Sequence, residues 1–140
     1  PIVAEWSGVQ GGSAQGATRV IQTAAEWSAF WAQVGRENPR SFDPRREMGL
    51  VVFLGERRTG GYTVAIEAVR AQAGRLRVEF RETAPPPDAL TTQAITYPWA
   101  FALVPRSDLP VEWRNLTSTA AGRGGSSGSS PAPRPGRQER

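Results

Sequence analysis

The sequence predicts an α+β fold: an antiparallel β-sheet of about five strands with one amphipathic helix packed on it. Three stretches carry that prediction. Leu50-Val51-Val52-Phe53-Leu54 is a continuous apolar run, too short for a typical helix and rich in residues that suit a pleated surface, so it is read as a central strand. Leu76, Val78 and Phe80 alternate with Arg75, Arg77, Glu79 and Arg81, the period of a strand with one wet face. Trp27, Phe30, Trp31 and Val34 recur at i, i+3, i+4 and i+7, a single stripe along a helix. A doubly wound nucleotide-binding fold is disfavoured, because it needs helices between its strands and only one convincing helix is present.

In chain order, Ile2 to Val9 has β character, and Gln10-Gly11-Gly12-Ser13 breaks it. Thr18 to Gln22 reads as a second short strand. Thr23 and Glu26 then form a capping box: the Thr hydroxyl accepts from the backbone three residues on, while the Glu side chain reaches back. The aromatic stripe follows, read as core packing rather than ligand stacking, and Gly35 stops the helix. Asp43-Pro44 suits the cap and first position of one short helical turn. The basic pairs Arg45-Arg46 and Arg57-Arg58 have Glu47 and Glu56 beside them, so they read as solvated loops.

Met48 to Val69 reads as a β-hairpin, two apolar runs flanking a charged, glycine-containing connection, with Tyr62, Val64 and Ile66 on one face of the returning strand. Gly60 and Gly61 call for a positive-φ turn or for close approach of another backbone. The strand 75–82 pairs antiparallel with 62–70 through a turn at Ala71 to Gly74, and Pro85-Pro86-Pro87 ends it. Ile95, Tyr97, Trp99, Phe101 and Leu103 alternate with smaller residues, and Pro98 assigns that segment to a sheet edge or a bulge. Val111 to Trp113 adds a last apolar contact. Residues 1–116 are expected to form one domain, and 117–140, rich in Gly, Ser, Pro and Arg, a disordered tail.

Composition removes most chemistries. The chain has no His, no Cys and no Lys, and all 17 basic residues are Arg. Histidine general bases, cysteine nucleophiles, Ser-Lys dyads, Schiff bases and Cys/His zinc sites are therefore excluded within this chain. Of the net charge of +4, residues 1–119 hold +1 and 120–140 hold +3, so the excess sits in the tail. No stretch approaches the ~20 apolar residues that span a bilayer as a helix. The chain opens at Pro1 rather than Met, which leaves room for a signal peptide or lipid-anchored leader ahead of it.

Gly55 and Gly60 have the glycine spacing of a phosphate-binding loop, but Gly61 and Tyr62 stand where Lys and Ser/Thr must be. A carboxylate pair for glycoside hydrolysis would have to come from Glu56, Glu67, Glu79, Glu82 and Asp88; most alternate with Arg along strands, so ion pairing accounts for them. No catalytic residue, no metal site and no cofactor is assigned.

Phe42-Asp43, the Met-led strand from Met48, Phe53-Leu54-Gly55-(x)4-Gly60-Gly61-Tyr62, the charged strand 75–82, the proline-rich loop and Thr91 to Pro105 follow in an order that resembles the PrcB C-terminal domain family. The resemblance covers roughly Val20 to Arg106. It implies a non-catalytic protein-interaction domain, an accessory or stabilising subunit of a cell-envelope or extracellular protease complex. Its protein partner would be a protease. The loop residues Arg58, Thr59, Gly60, Gly61 and Tyr62 are the candidate contact, because Thr59 and Tyr62 offer hydroxyls at the rim of the glycine turn; if the loop is a plain turn, the aromatic segment Ile95 to Leu103 is the surface instead. Thr59-Gly60-Gly61-Tyr62 is also similar to the Thr-Thr-Gly-Tyr loop of chagasin-type cysteine protease inhibitors, which implies a peptidase-inhibitor alternative. A third class, a polyanion binder acting through the Arg-containing tail, has no aromatics there for base stacking, so nucleic acid is not the expected partner.

Overall fold

The computed structural model describes residues 1–117. The tail expectation lies outside the described residues. Seven strands and one helix follow in the order β1 (Ala4–Gly8), β2 (Ala17–Ile21), α1 (Ala24–Gln33), β3 (Glu47–Phe53), β4 (Thr63–Gln72), β5 (Arg75–Thr83), β6 (Trp99–Pro105) and β7 (Val111–Asn115). One sheet has the order β1-β6-β3-β2 and is antiparallel throughout. The other has the order β4-β5-β7, with β7 parallel to β5.

The single sheet of about five strands is thus corrected to seven strands in two sheets, while the helix packed on a sheet stands. The reason lies in the two middle strands of the larger sheet. Val51, Phe53, Trp99, Phe101 and Leu103 pack with Trp27, Phe30, Trp31 and Val34 of the helical segment. Met48, Leu50, Val52, Ala100, Ala102 and Val104 face the other way, into Val64, Ile66, Val69, Leu76, Val78 and Phe80 of the second sheet. A strand apolar on both faces needs cover on both faces. The result is three layers: helix, four-stranded sheet, three-stranded sheet.

That requirement also overturns the hairpin expected over Met48 to Val69. β3 pairs with β2 and β6, and β4 pairs with β5. The connection between β3 and β4 carries the chain across to the second sheet, where β4 packs over β6 rather than lying beside β3. The Pro98 expectation falls too. β6 is an interior strand. Pro98 precedes its first residue and accepts from the Leu54 N–H at 3.1 Å, while the Leu54 carbonyl, which a donor at 98 would have met, accepts from Arg57 Nη1 at 3.2 Å instead.

Local signals are obeyed. Thr23 accepts from the Glu26 N–H at 3.1 Å while Glu26 accepts from the Thr23 and Gln22 N–H groups, closing the capping box. At the other end Gly35 has φ 72°, and the Gly35 and Arg36 N–H groups reach the Ala32 and Trp31 carbonyls at 3.2 and 3.0 Å, a Schellman closure. Ala73 (φ 54°) and Gly74 (φ 77°) make the β4–β5 turn, the type I′ geometry whose twist matches the strands. A bulge between Ile66 and Ala68 returns Val69 to the buried face.

Candidate partner-binding surface

β1, β3 and β5 end, and β2, β4 and β6 begin, at one end of the sandwich, so three loops gather there: 9–16, 54–62 and 84–98. Backbone bonds knit them together. The Gly12 N–H donates to Tyr97 O at 3.2 Å, Glu56 N–H to Ala14 O at 3.0 Å and Gly60 N–H to Thr92 O at 3.0 Å. Arg57 and Thr96 exchange both backbone bonds at 2.8 and 2.9 Å, and the buried Thr96 hydroxyl donates to Thr59 O at 3.0 Å.

Arg57 anchors the middle loop. Its Nε and Nη2 donate to the two Glu82 oxygens at 2.7 and 3.0 Å, and Nη1 donates to the Leu54 and Glu56 carbonyls at 3.2 and 3.0 Å. The side chains are 27% and 18% exposed, so the fork is largely shielded from water. The hydrogen bonds to Glu82 hold the guanidinium above its ordinary value; burial pulls it down, and the charges of Glu82 and Tyr62 add to the rise. The reading of Arg57-Arg58 as a solvated pair is therefore half right: Arg58 is exposed, Arg57 is not. One signal could have found this. The β5 alternation that buries Leu76, Val78 and Phe80 also turns Glu82 inward, and an inward carboxylate needs a cation or several donors.

The five loop residues singled out by sequence are held by this frame. Arg58 and Gly61 are exposed; Thr59, Gly60 and Tyr62 are half-buried. The Thr59 hydroxyl donates to Gly60 O at 3.0 Å, and the Arg57 guanidinium lies 5.9 Å from the Tyr62 ring centre. The two glycines differ in what they require. Gly61 has φ 94° and packs against Pro85. Gly60 is fixed by close approach, since a Cβ there would sit 2.5 Å from the Thr92 hydroxyl. Around them the loop end presents apolar side chains to water: Leu90 fully, Ile95 at 47% and Val9 at 40%. Trp99, Phe101 and Leu103 are buried, so of the aromatic segment only its start, around Ile95, can meet a partner.

Glu67, Glu79 and Glu82 are ion-paired to Arg81, Arg70 and Arg57 at 3.0, 2.9 and 2.7 Å. Among the described residues no group of three or more Asp or Glu gathers as a metal site, and no helix is long and apolar enough to cross a membrane.

Residues 48–105 match the family model described as PrcB C-terminal. The match runs from β3 to the end of β6, so it holds the anchored loop, Glu82 and the loop of Leu90 and Ile95, and it leaves out the tryptophan helix. No curated protein and no solved structure matches the chain. Over residues 48–105, the chain is similar to the PrcB C-terminal family.

Proposed function

We propose that the chain is a non-catalytic protein-interaction domain, an accessory or stabilising subunit of a cell-envelope or secreted protease complex, and that it meets its partner at the three-loop end. The family match carries the first part. The second rests on the fully exposed Leu90 beside Ile95 on a loop whose backbone is tied to the Arg58–Tyr62 loop: an apolar side chain held out on a firm frame loses little entropy when a partner covers it. Arg58 adds an exposed guanidinium at the same rim. The inhibitor alternative gains no support from the geometry, because residues 59 and 60 are bonded back to Thr96 and Thr92 instead of projecting freely. The polyanion alternative concerns tail residues outside the described ones, and on the outer face of β4–β5–β7 Arg70, Arg77 and Arg81 are neutralised by Glu79, Glu112 and Glu67.

The test is site-specific photocrosslinking in native cells. A photoreactive phenylalanine at position 58 or 90 is expected to capture a peptidase subunit, and one at Arg75, at the opposite end, is not. Crosslinks from 58 and 90 to proteins other than peptidases, or equal capture from Arg75, would refute the assignment.

A further inference from the structure

The two sheets close on one side of the sandwich and part on the other. β4 comes close to β6 and to β1, as Ala100 and Ala102 present little side chain to it. On the far side a cleft of ≈ 360 Å³ opens beside β2, walled by Thr18, Val52, Leu54 and Phe80, with the Arg57–Glu82 pair and Asn115 at its end.

β2 is the edge strand of that opening, and among the described residues its outer backbone is unpaired. The Leu54 N–H bonds Pro98 O, which sets the even-numbered residues of β3 toward β6 and the odd-numbered ones toward β2. Alternation in the antiparallel ladder then turns the N–H and C=O of Thr18 and Val20 outward. Their side chains face the second sheet: Val20 packs on its core and Thr18 lines the cleft. Arg19 faces the helix side, its guanidinium 4.9 Å from the Phe53 ring centre and bonded to Gln33 at 3.4 Å. Among the described residues no carboxylate lies within ion-pair distance of it. No proline or lysine guards this edge, and no bulge breaks it as one breaks β4.

We propose that β2 is a strand-addition site for an extended segment of a partner protein, which pairs antiparallel with Thr18–Val20 and reads apolar–acidic–apolar. The register fixes that pattern. Residues opposite Thr18 and Val20 exchange backbone bonds with them and turn their side chains toward the second sheet, one into the cleft and one along the row that Val20 begins. The residue between them lies across from Arg19, where a carboxylate completes a cross-strand ion pair. The site goes beyond the loop-end reading, and neither depends on the other: β2 lies outside the segment 48–105 that carries the family.

The test is an NMR titration of the full chain with a capped seven-residue peptide whose centre is Val-Glu-Val flanked by threonines. Saturable shifts centred on the amides of 17–21 are expected. N-methylation of both valine amides, reversal of the central Glu to Arg, and Thr18→Pro in the protein should each weaken binding at least about tenfold. Thr18 N–H points outward, so proline there costs no ladder bond; if that variant fails to fold, the N-methylated peptide decides alone. Equal binding of the N-methylated peptide, shifts away from β2, or no binding at about 1 mM would overturn the proposal. So would a peptide-free dimer that Thr18→Pro abolishes, because the occupant would then be a second copy of this chain.

Discussion

Removing the Arg57 side chain is the sharpest single perturbation of the loop end. Four hydrogen bonds go with it, two to Glu82 and two to backbone carbonyls, and Glu82 is left shielded without its cation. Charged bonds contribute about 1.5–3 kcal/mol in favourable burial and much less at the surface. With side chains 27% and 18% exposed, about 1 kcal/mol for each Glu82 bond is reasonable, so a double-mutant cycle over Arg57→Ala and Glu82→Ala should return a coupling of about 2 kcal/mol. The single Arg57→Ala change should cost about 3 kcal/mol, or about 10 °C in melting temperature. Arg70–Glu79 is the internal control: one bond at 2.9 Å with Arg70 57% exposed, expected to couple by no more than about 0.5 kcal/mol. Urea unfolding followed by tryptophan fluorescence reads both cycles. Arg57→Lys should recover less than half of the loss, because an ammonium cannot make the fork. Arg57 sits above its ordinary value, so its contribution is fully present below the ordinary arginine range and is lost only as pH rises through the raised one; Arg57 therefore adds no slope to stability near neutrality. A coupling no larger than that of Arg70–Glu79 would refute the anchor.

Three further outcomes follow from the packing. Gly49→Ala should cost at least about 2 kcal/mol in urea unfolding, because a Cβ there would overlap the Phe101 ring at the crossing of β3 and β6. Ala73→Asn should stabilise by about 0.5–1 kcal/mol: Ala73 holds φ 54° in a type I′ turn, a conformation that costs asparagine less than alanine, and a lower midpoint would show that the turn geometry is different. Thr23→Ala should cost about 1 kcal/mol by opening the capping box, with loss of amide protection confined at first to the start of α1.

The α1 segment was the most legible part of the chain. Thr23, Glu26, the stripe from Trp27 to Val34 and Gly35 act within a few residues of one another, so their chemistry is complete in the sequence. The same holds for β5, where alternation alone sorted Leu76, Val78 and Phe80 from their charged neighbours, and for the turn before it. The family signature was legible as well, since the pattern from Met48 through Gly60-Gly61-Tyr62 to Pro105 falls within the matched segment.

Pairing between distant residues was not legible in this way. The run Leu50 to Leu54 announced a strand buried on both faces, but nothing local says whether the next strand lies beside it or crosses over to cover it; the β3 and β6 cores needed two coverings, and the crossover of β4 supplies one. The partnership of Arg57 with Glu82 spans 25 residues and exists only because the second sheet brings the end of β5 beneath the loop. Periodicity along a chain assigns each residue a face, and so it determined the helix, most of the strands and their buried sides. Which faces meet is set by burying the most apolar surface over the whole chain at once, and that decided the two sheets, the three-loop end and the open edge at β2.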